Sequence, residues 1–249
     1  MTYYMNDKVL MMKILGFDSS GMVASVAIMQ DNIMVAEYSV NYKKTHSQTL
    51  LPMLDEVVKM TELDLDEVDA IAVAAGPGSF TGLRIGMATV KGFGLALDKP
   101  VIAVPTCHAL AYNLWGSNKI ICPILDARRN QVYTALYEFI NDEFICIKEQ
   151  EAMDICDIIE HINDIGKEVI FLGDGVPVFE TVIKDKIKVN ASFAPAHLNR
   201  QRASAVAALG RIYYERGEYE NADNIKPIYL RKSQAERERE EKDGSRQSD

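Results

Sequence analysis

Two α/β lobes of one design, each a mixed five-stranded sheet carrying helices, are the fold class that the sequence predicts. Three observations carry it. An apolar run ends at an aspartate twice, at Asp18 in KILGFD and at Asp126 in ICPILD. Each run is followed by two alternating strand patterns around a turn signal, at Asp31-Asn32 in the first half and at Asn141-Asp142 in the second. Each half then passes through a helix candidate to a buried strand that stops at G-x-G, with Gly76 and Gly78 in the first and Gly173 and Gly175 in the second.

Residue identity between the halves is poor, so the shared order of the features carries the duplication. Two facing βββαβα lobes are the architecture of the actin-like and sugar-kinase-like (ribonuclease H-like) class. The expected division is 12–104 for the first lobe and 105–235 for the second, with a crossover helix over 106–115. The first eleven residues have no place in the repeat. The stretch 236–249 is a charge run without apolar residues and is expected to be a disordered tail.

With 48% hydrophobic residues in 249, the chain can bury a full core. A net charge of −9 argues against a large nonspecific nucleic-acid surface on this chain alone, though not against a local basic patch. Cys107, Cys122, Cys146 and Cys156 show no C-x-x-C pair, which suits free thiols in a cytoplasmic protein. The N-terminal stretch holds Asp7 and Lys8 and no long apolar run, so neither a signal peptide nor a membrane span is expected.

The stretch GPGSFTG at 76–82 lacks the Gly-Lys-Ser/Thr of a Walker loop, and its G-x-G-x-x-x-G spacing is not the dinucleotide fingerprint. Two readings stand side by side. Gly78 and Ser79 open a helix whose free N–H groups receive an anion, or they form a plain strand-to-helix turn with Ser79 or Thr81 as cap. The helix from Gly82 carries four glycines, each costing about 0.5–1 kcal/mol relative to alanine inside a helix. Gly82 and Gly86 lie one turn apart, so a backbone can approach closely there. A second helix, QTLLPMLDEVVKM with Ser47 as its cap, is apolar over about half its circumference, more than the roughly 100° stripe that faces a core. Pro52 marks either a kink or a late start.

Catalytic equipment is scarce. His46, His108, His161 and His197 form no i, i+4 pair, and none stands in a cysteine-rich or carboxylate-rich run, so no metal is expected. No G-x-S-x-G elbow is present. Asp18 with Ser19, and Asp126 with Arg128 and Arg129, occupy the places where actin-like ATPases hold a metal–nucleotide group, but the second set lacks glycines to wrap a phosphate. A vestigial nucleotide cleft is favoured over a working ATPase.

The motifs ILGFDSS (14–20), THSQTLLPMLDEV (45–57), AVAAGPGSFTGLRIGMATVKG (72–92), AVPTCHALA (103–111) and PILDARRNQVYTALY (123–137) resemble the TsaB family. Its members are partner subunits in the bacterial machinery that makes threonylcarbamoyladenosine beside the tRNA anticodon. The second lobe matches mainly through GDG (173–175) and YLRKSQAE (229–236). The resemblance implies a duplicated actin-like fold without the metal motif of the catalytic subunit TsaD. It implies pairing through the helices at 46–60 and 82–97 with TsaD, or with a second copy when TsaD is absent, and a complex completed by the ATPase TsaE and tRNA. The interface residues expected on this basis are Leu50, Leu54, Val57, Val58, Gly82, Gly86 and Val90. No intrinsic cofactor is implied; ATP or ADP at a subunit junction is the candidate ligand. The rival readings are an actin-like ATPase or kinase using Asp18, Asp126 and the Gly78 loop, and a metallopeptidase-like enzyme.

Overall fold

The computed structural model describes residues 11–231. The leader through residue 10 and the expected tail at 236–249 lie outside the described residues. In the first lobe, strands β1 (Lys13–Asp18), β2 (Ala24–Gln30), β3 (Ile33–Val40), β4 (Ala70–Gly76) and β5 (Val101–Pro105) form a sheet in the order β3-β2-β1-β4-β5. Strands β6 (Ile120–Asp126), β7 (Gln131–Ile140), β8 (Glu143–Asp154), β9 (Val169–Leu172) and β10 (Ala191–Phe193) repeat that order as β8-β7-β6-β9-β10. In both, the first strand pairs antiparallel with the second and parallel with the fourth. The duplicated actin-like architecture is therefore present strand for strand.

Local chemistry explains the elements. β4 is buried at every position, as a strand with helices on both faces should be, and it reads AIAVAAG without alternation. The hairpin turns need left-handed residues, and Asp31 (φ 50°), Asn141 (φ 51°) and Asp142 (φ 65°) are of the types that accept that conformation. Helices α1 (His46–Thr61) and α2 (Phe80–Leu97) cover one face of the first sheet, and α4 (Ile155–Ile165) and α5 (Val176–Lys186) cover the matching face of the second. α1 begins at His46 with Thr45 in the capping position, so Ser47 is not the cap but lies in the first turn. Pro52 sits well inside the helix, which rules out the late start. The crossover helix α3 (Thr106–Tyr112) stops short of the expected Trp115, giving way to turns that close at Gly116 with φ 76°.

Within the stretch 105–235, the last helix packs on the first sheet and not on the second. Helix α6 (Ala203–Glu215) packs on β1, β2 and β4, completing the core on the far face of the first sheet with Ile14, Ala72, Val104 and Ala109. Small residues permit this: a Cβ on Gly210 would lie 2.5 Å from the Ala72 Cβ. Glu37 on β3 anchors the start of the helix, accepting hydrogen bonds from Arg202 Nε at 3.1 Å, Ser204 N at 3.1 Å and Ser204 Oγ at 2.7 Å. Burial opposes ionisation of Glu37, but these donors outweigh it and hold its carboxyl below the usual range. Beyond α6 the chain follows the first lobe as far as Ile228, bridging Glu220 to Val101 and donating from Ile228 N to Ala75 O at 2.7 Å.

Candidate functional site

A cleft of about 440 Å³ opens where the ends of β1 and β4 face the ends of β6 and β9. From the first lobe it is lined by Ser20, Gly21, Gly78 and Ser79, and from the second by Asp126, Arg128 and Asp174, with Gln201 and Arg231 completing it. The duplicated topology brings these strand ends together, which is where open α/β sheets place their sites.

The first-lobe loop is bonded to its own helix. Asp18 is fully buried, and its Oδ1 accepts from Ser20 N at 2.9 Å and Ser20 Oγ at 2.7 Å. Its Oδ2 has no hydrogen-bond partner among the described residues. Burial raises the Asp18 carboxyl from 3.8 to about 6, and the two Ser20 bonds only partly offset this. Ser19 is also buried and donates from Oγ to the Gly82 carbonyl at 2.9 Å, so it faces α2 rather than the cleft. His46 Nε2 lies 2.8 Å from the Gly21 carbonyl; a carbonyl only accepts, so this nitrogen is the protonated one.

The Gly78–Ser79 turn caps α2 through Ser79 Oγ, which accepts from Gly82 N at 3.2 Å. Ser79 N donates to the Ser20 carbonyl at 2.7 Å, so one amide of the expected anion seat already has a partner within the chain. Gly78 is required by the same contact, because a Cβ there would lie 2.2 Å from Ser20 O.

Across the cleft, Asp126 accepts from Arg128 N at 2.8 Å and pairs with Arg128 Nη1 at 3.2 Å. This back-folded turn is built from three consecutive left-handed residues, Arg128, Arg129 and Asn130. Arg129 is exposed and does not line the cleft. Among the cleft residues that the sequence did not single out are Asp174, Arg231, Tyr133 and Gln201. Asp174 lies inside the quoted GDG and accepts from Asp126 N at 3.1 Å; burial raises its carboxyl. Arg231 lies inside the quoted YLRKSQAE and donates to the Ala127 carbonyl at 2.9 Å. Tyr133 also lines the cleft. Gln201 sits in a loop with no sequence signal; it is 2% exposed, and neither atom of its amide has a hydrogen-bond partner among the described residues. A buried amide without partners is costly and marks where a polar ligand would be welcome.

The interface residues expected on the helices are mostly core. Leu50, Leu54, Val57 and Val90 are buried in the first lobe, and Val58 is half-buried. Gly82 and Gly86 do serve a close backbone approach, but the approaching segment is the chain's own loop. A Cβ on Gly82 would lie 2.1 Å from Ser19 O, and one on Gly86 would lie 2.3 Å from Ser19 Oγ. The solvent faces of these helices carry different residues. Leu51 is 52% exposed, Met60 76% and Leu95 57%; Ala88 and Gly92 are exposed, and a Cβ on Gly92 would meet nothing within 4 Å.

Among the described residues no helix is long and apolar enough to cross a membrane. A family described as TsaD, tRNA N6-adenosine threonylcarbamoyltransferase, matches residues 34–239. The tRNA threonylcarbamoyladenosine biosynthesis protein TsaB of Bacillus subtilis is 32% identical over 227 residues, which span 90% of this chain and 96% of that protein. Its namesake in Buchnera aphidicola subsp. Baizongia pistaciae is 30% identical over 87% of this chain and 97% of its own length. A solved structure from Pseudomonas aeruginosa, described as an uncharacterized protein with similarity to peptidase YEAZ, superposes with a TM-score of 0.77 at 26% identity, covering 89% of this chain and all of that one. With relatives of one kind matched along nearly their whole length, the chain belongs to the TsaB family of tRNA threonylcarbamoyladenosine biosynthesis proteins.

Proposed function

We propose that this chain is a non-catalytic subunit that binds and supports a TsaD-type transferase, which installs threonylcarbamoyl on the tRNA adenosine beside the anticodon. The observation that carries the reading is the solvent face of α2, where Leu95 stands with Ala88 and Gly92 at helical spacing, while Leu51 and Met60 are exposed on opposite flanks of the buried stripe of α1. An interior helical glycine costs about 0.5–1 kcal/mol relative to alanine. Gly92 relieves no clash within its own lobe. A second helix packing closely against it gives that cost a use. In the absence of the transferase the same face pairs two copies of this chain. A TsaE-type ATPase and tRNA then join through the assembled complex.

The test is binding of the purified TsaD-type subunit to this chain and to a Met60→Glu, Gly92→Leu double variant. Both positions are exposed, so the fold should be kept, as circular dichroism would verify. Affinity is expected to fall at least about 30-fold, the loss of a 2 kcal/mol hot spot, with a matching loss of threonylcarbamoyl transfer by the reconstituted complex. Unchanged affinity would remove α1 and α2 from the interface.

The inter-lobe cleft supports a second component of the proposal, a nucleotide held without turnover once the partner is bound. Its support is the unpartnered Gln201 amide beside Arg231 and Arg128. The internal bond from Ser79 N to Ser20 O leaves the first-lobe loop poorly disposed to grip phosphate alone. Calorimetric titration with magnesium-ADP should show binding to the complex, weakened roughly tenfold by Gln201→Leu, the equivalent of one net hydrogen bond. No binding to the complex, or binding indifferent to Gln201, would refute this component and leave the interface reading intact.

A further inference from the structure

A second cavity of about 440 Å³ lies away from the cleft, between α3, the start of β8 and α6. His108, Tyr112, Cys146, Phe144 and Tyr213 are among its walls. At its edge, one ring nitrogen of His108, the Cys146 sulfur and a Glu149 carboxylate oxygen all lie within 4.8 Å of one another. His108 lies far along the chain from Cys146 and Glu149, so the spacing of histidines and cysteines gives no hint of the group.

The strand geometry that gathers them is irregular. Residues three apart on a regular strand point to opposite faces, so Cys146 and Glu149 should diverge. The pairing of β7 with β8 slips between Tyr137↔Cys146 and Leu136↔Lys148, and again before Thr134↔Glu151. Each slip inserts one extra β8 residue, and such bulges re-aim side chains. Here they allow both groups to reach His108.

The surroundings have the features of a ligand site. His108 Nδ1 lies 2.7 Å from the Tyr213 hydroxyl, while buried Nε2 has no hydrogen-bond partner among the described residues. The fully buried Tyr137, whose ring centroid is 4.9 Å from that of His108, likewise has a hydroxyl without a partner there. An outer hydrogen bond to one imidazole nitrogen, with the other left bare, is the usual arrangement around a metal-ligating histidine.

We infer that His108, Cys146 and Glu149 form a binding site for a divalent zinc ion, with the fourth coordination position open to the cavity. One nitrogen, one sulfur and one oxygen donor suit zinc among the common divalent ions, and three protein ligands with one open position make a tetrahedral site. Binding displaces the thiol proton of Cys146 to solvent, so the sulfur ligates as thiolate and one proton is released per metal.

The test uses the full chain, stripped with chelator and dialysed against zinc chloride, with metal counted by atomic emission and cobalt(II) as an optical probe. One zinc per chain is expected, and the cobalt form should show a thiolate-to-metal absorption band. Cys146→Ser should abolish that band, and both it and the exposed-site change Glu149→Gln should weaken zinc binding by at least about tenfold. Both replacements are near-isosteric, and circular dichroism would establish that they fold. Failure of the unaltered chain to retain stoichiometric zinc, or retention by both variants at unchanged affinity, would overturn the assignment.

Discussion

Replacing Gly82 by alanine should lower the stability of the chain by about 3 kcal/mol, the upper end of the cost of forcing one methyl into a packed interior. The new Cβ would lie 2.1 Å from the Ser19 carbonyl oxygen, and that oxygen belongs to backbone. The loop at 18–21 cannot simply yield. Ser19 Oγ is bonded to Gly82 O, Ser20 O to Ser79 N, and Gly21 O to His46. The same chemical change at Gly92, ten positions along α2, meets open space and should instead gain about 0.5–1 kcal/mol in the isolated chain. Urea denaturation of the two variants beside the unaltered chain makes the comparison. A Gly82→Ala chain within 0.5 kcal/mol of the unaltered one would mean that the loop is not seated on α2 (about the scatter of neutral surface changes). Gly86→Leu should destabilise the same seat, since a Cβ there would lie 2.3 Å from Ser19 Oγ.

The second large effect is on pH dependence. Asp18 has its carboxyl raised from 3.8 to about 6 because it is buried, with Oδ2 left bare. Between those values the folded chain holds a proton that the unfolded chain has released, so folding stability falls as pH rises through this window. The separation corresponds to roughly 3 kcal/mol, present below pH 4 and lost above pH 6. Asp18→Asn keeps the acceptor for Ser20 and cannot ionise. The stability of the variant relative to the unaltered chain should therefore rise by about 3 kcal/mol between pH 4 and pH 7. The difference cancels the titration of every other group. A difference that stays flat across this range would show that Asp18 is not buried as a carboxylate in the folded chain.

The parts of the fold that were legible in the sequence are those decided locally. Asp31-Asn32 and Asn141-Asp142 mark hairpins because few other residues accept positive φ. The two aspartate-ended strands mark the repeat because strand order follows chain order within each half. The place of α6 was not legible, because packing on the first sheet is a contact between distant segments and leaves no periodicity of its own. The apolar face of α1 is wide because the helix has several neighbours within its own lobe. α1 packs on β2, β3 and α2 together, and that concave seat absorbs Leu50, Met53, Leu54 and Val57. A helical wheel reports how much of a helix is greasy, not who covers it. In the candidate site, Asp18 and Asp126 were found because they end strands. Gln201 was missed because nothing in a loop distinguishes a buried amide from an exposed one.

The return of α6 to the first sheet has a consequence for how the molecule is made. A ribosome will have released all five strands of that sheet, and the whole second one, before residue 203 emerges. Until then the side of the sheet bearing Ile14, Ala72 and Val104 has only the short α3 to shelter it. The nascent chain thus carries a sticky surface through most of its synthesis, and the earliest-made half is the last to be finished.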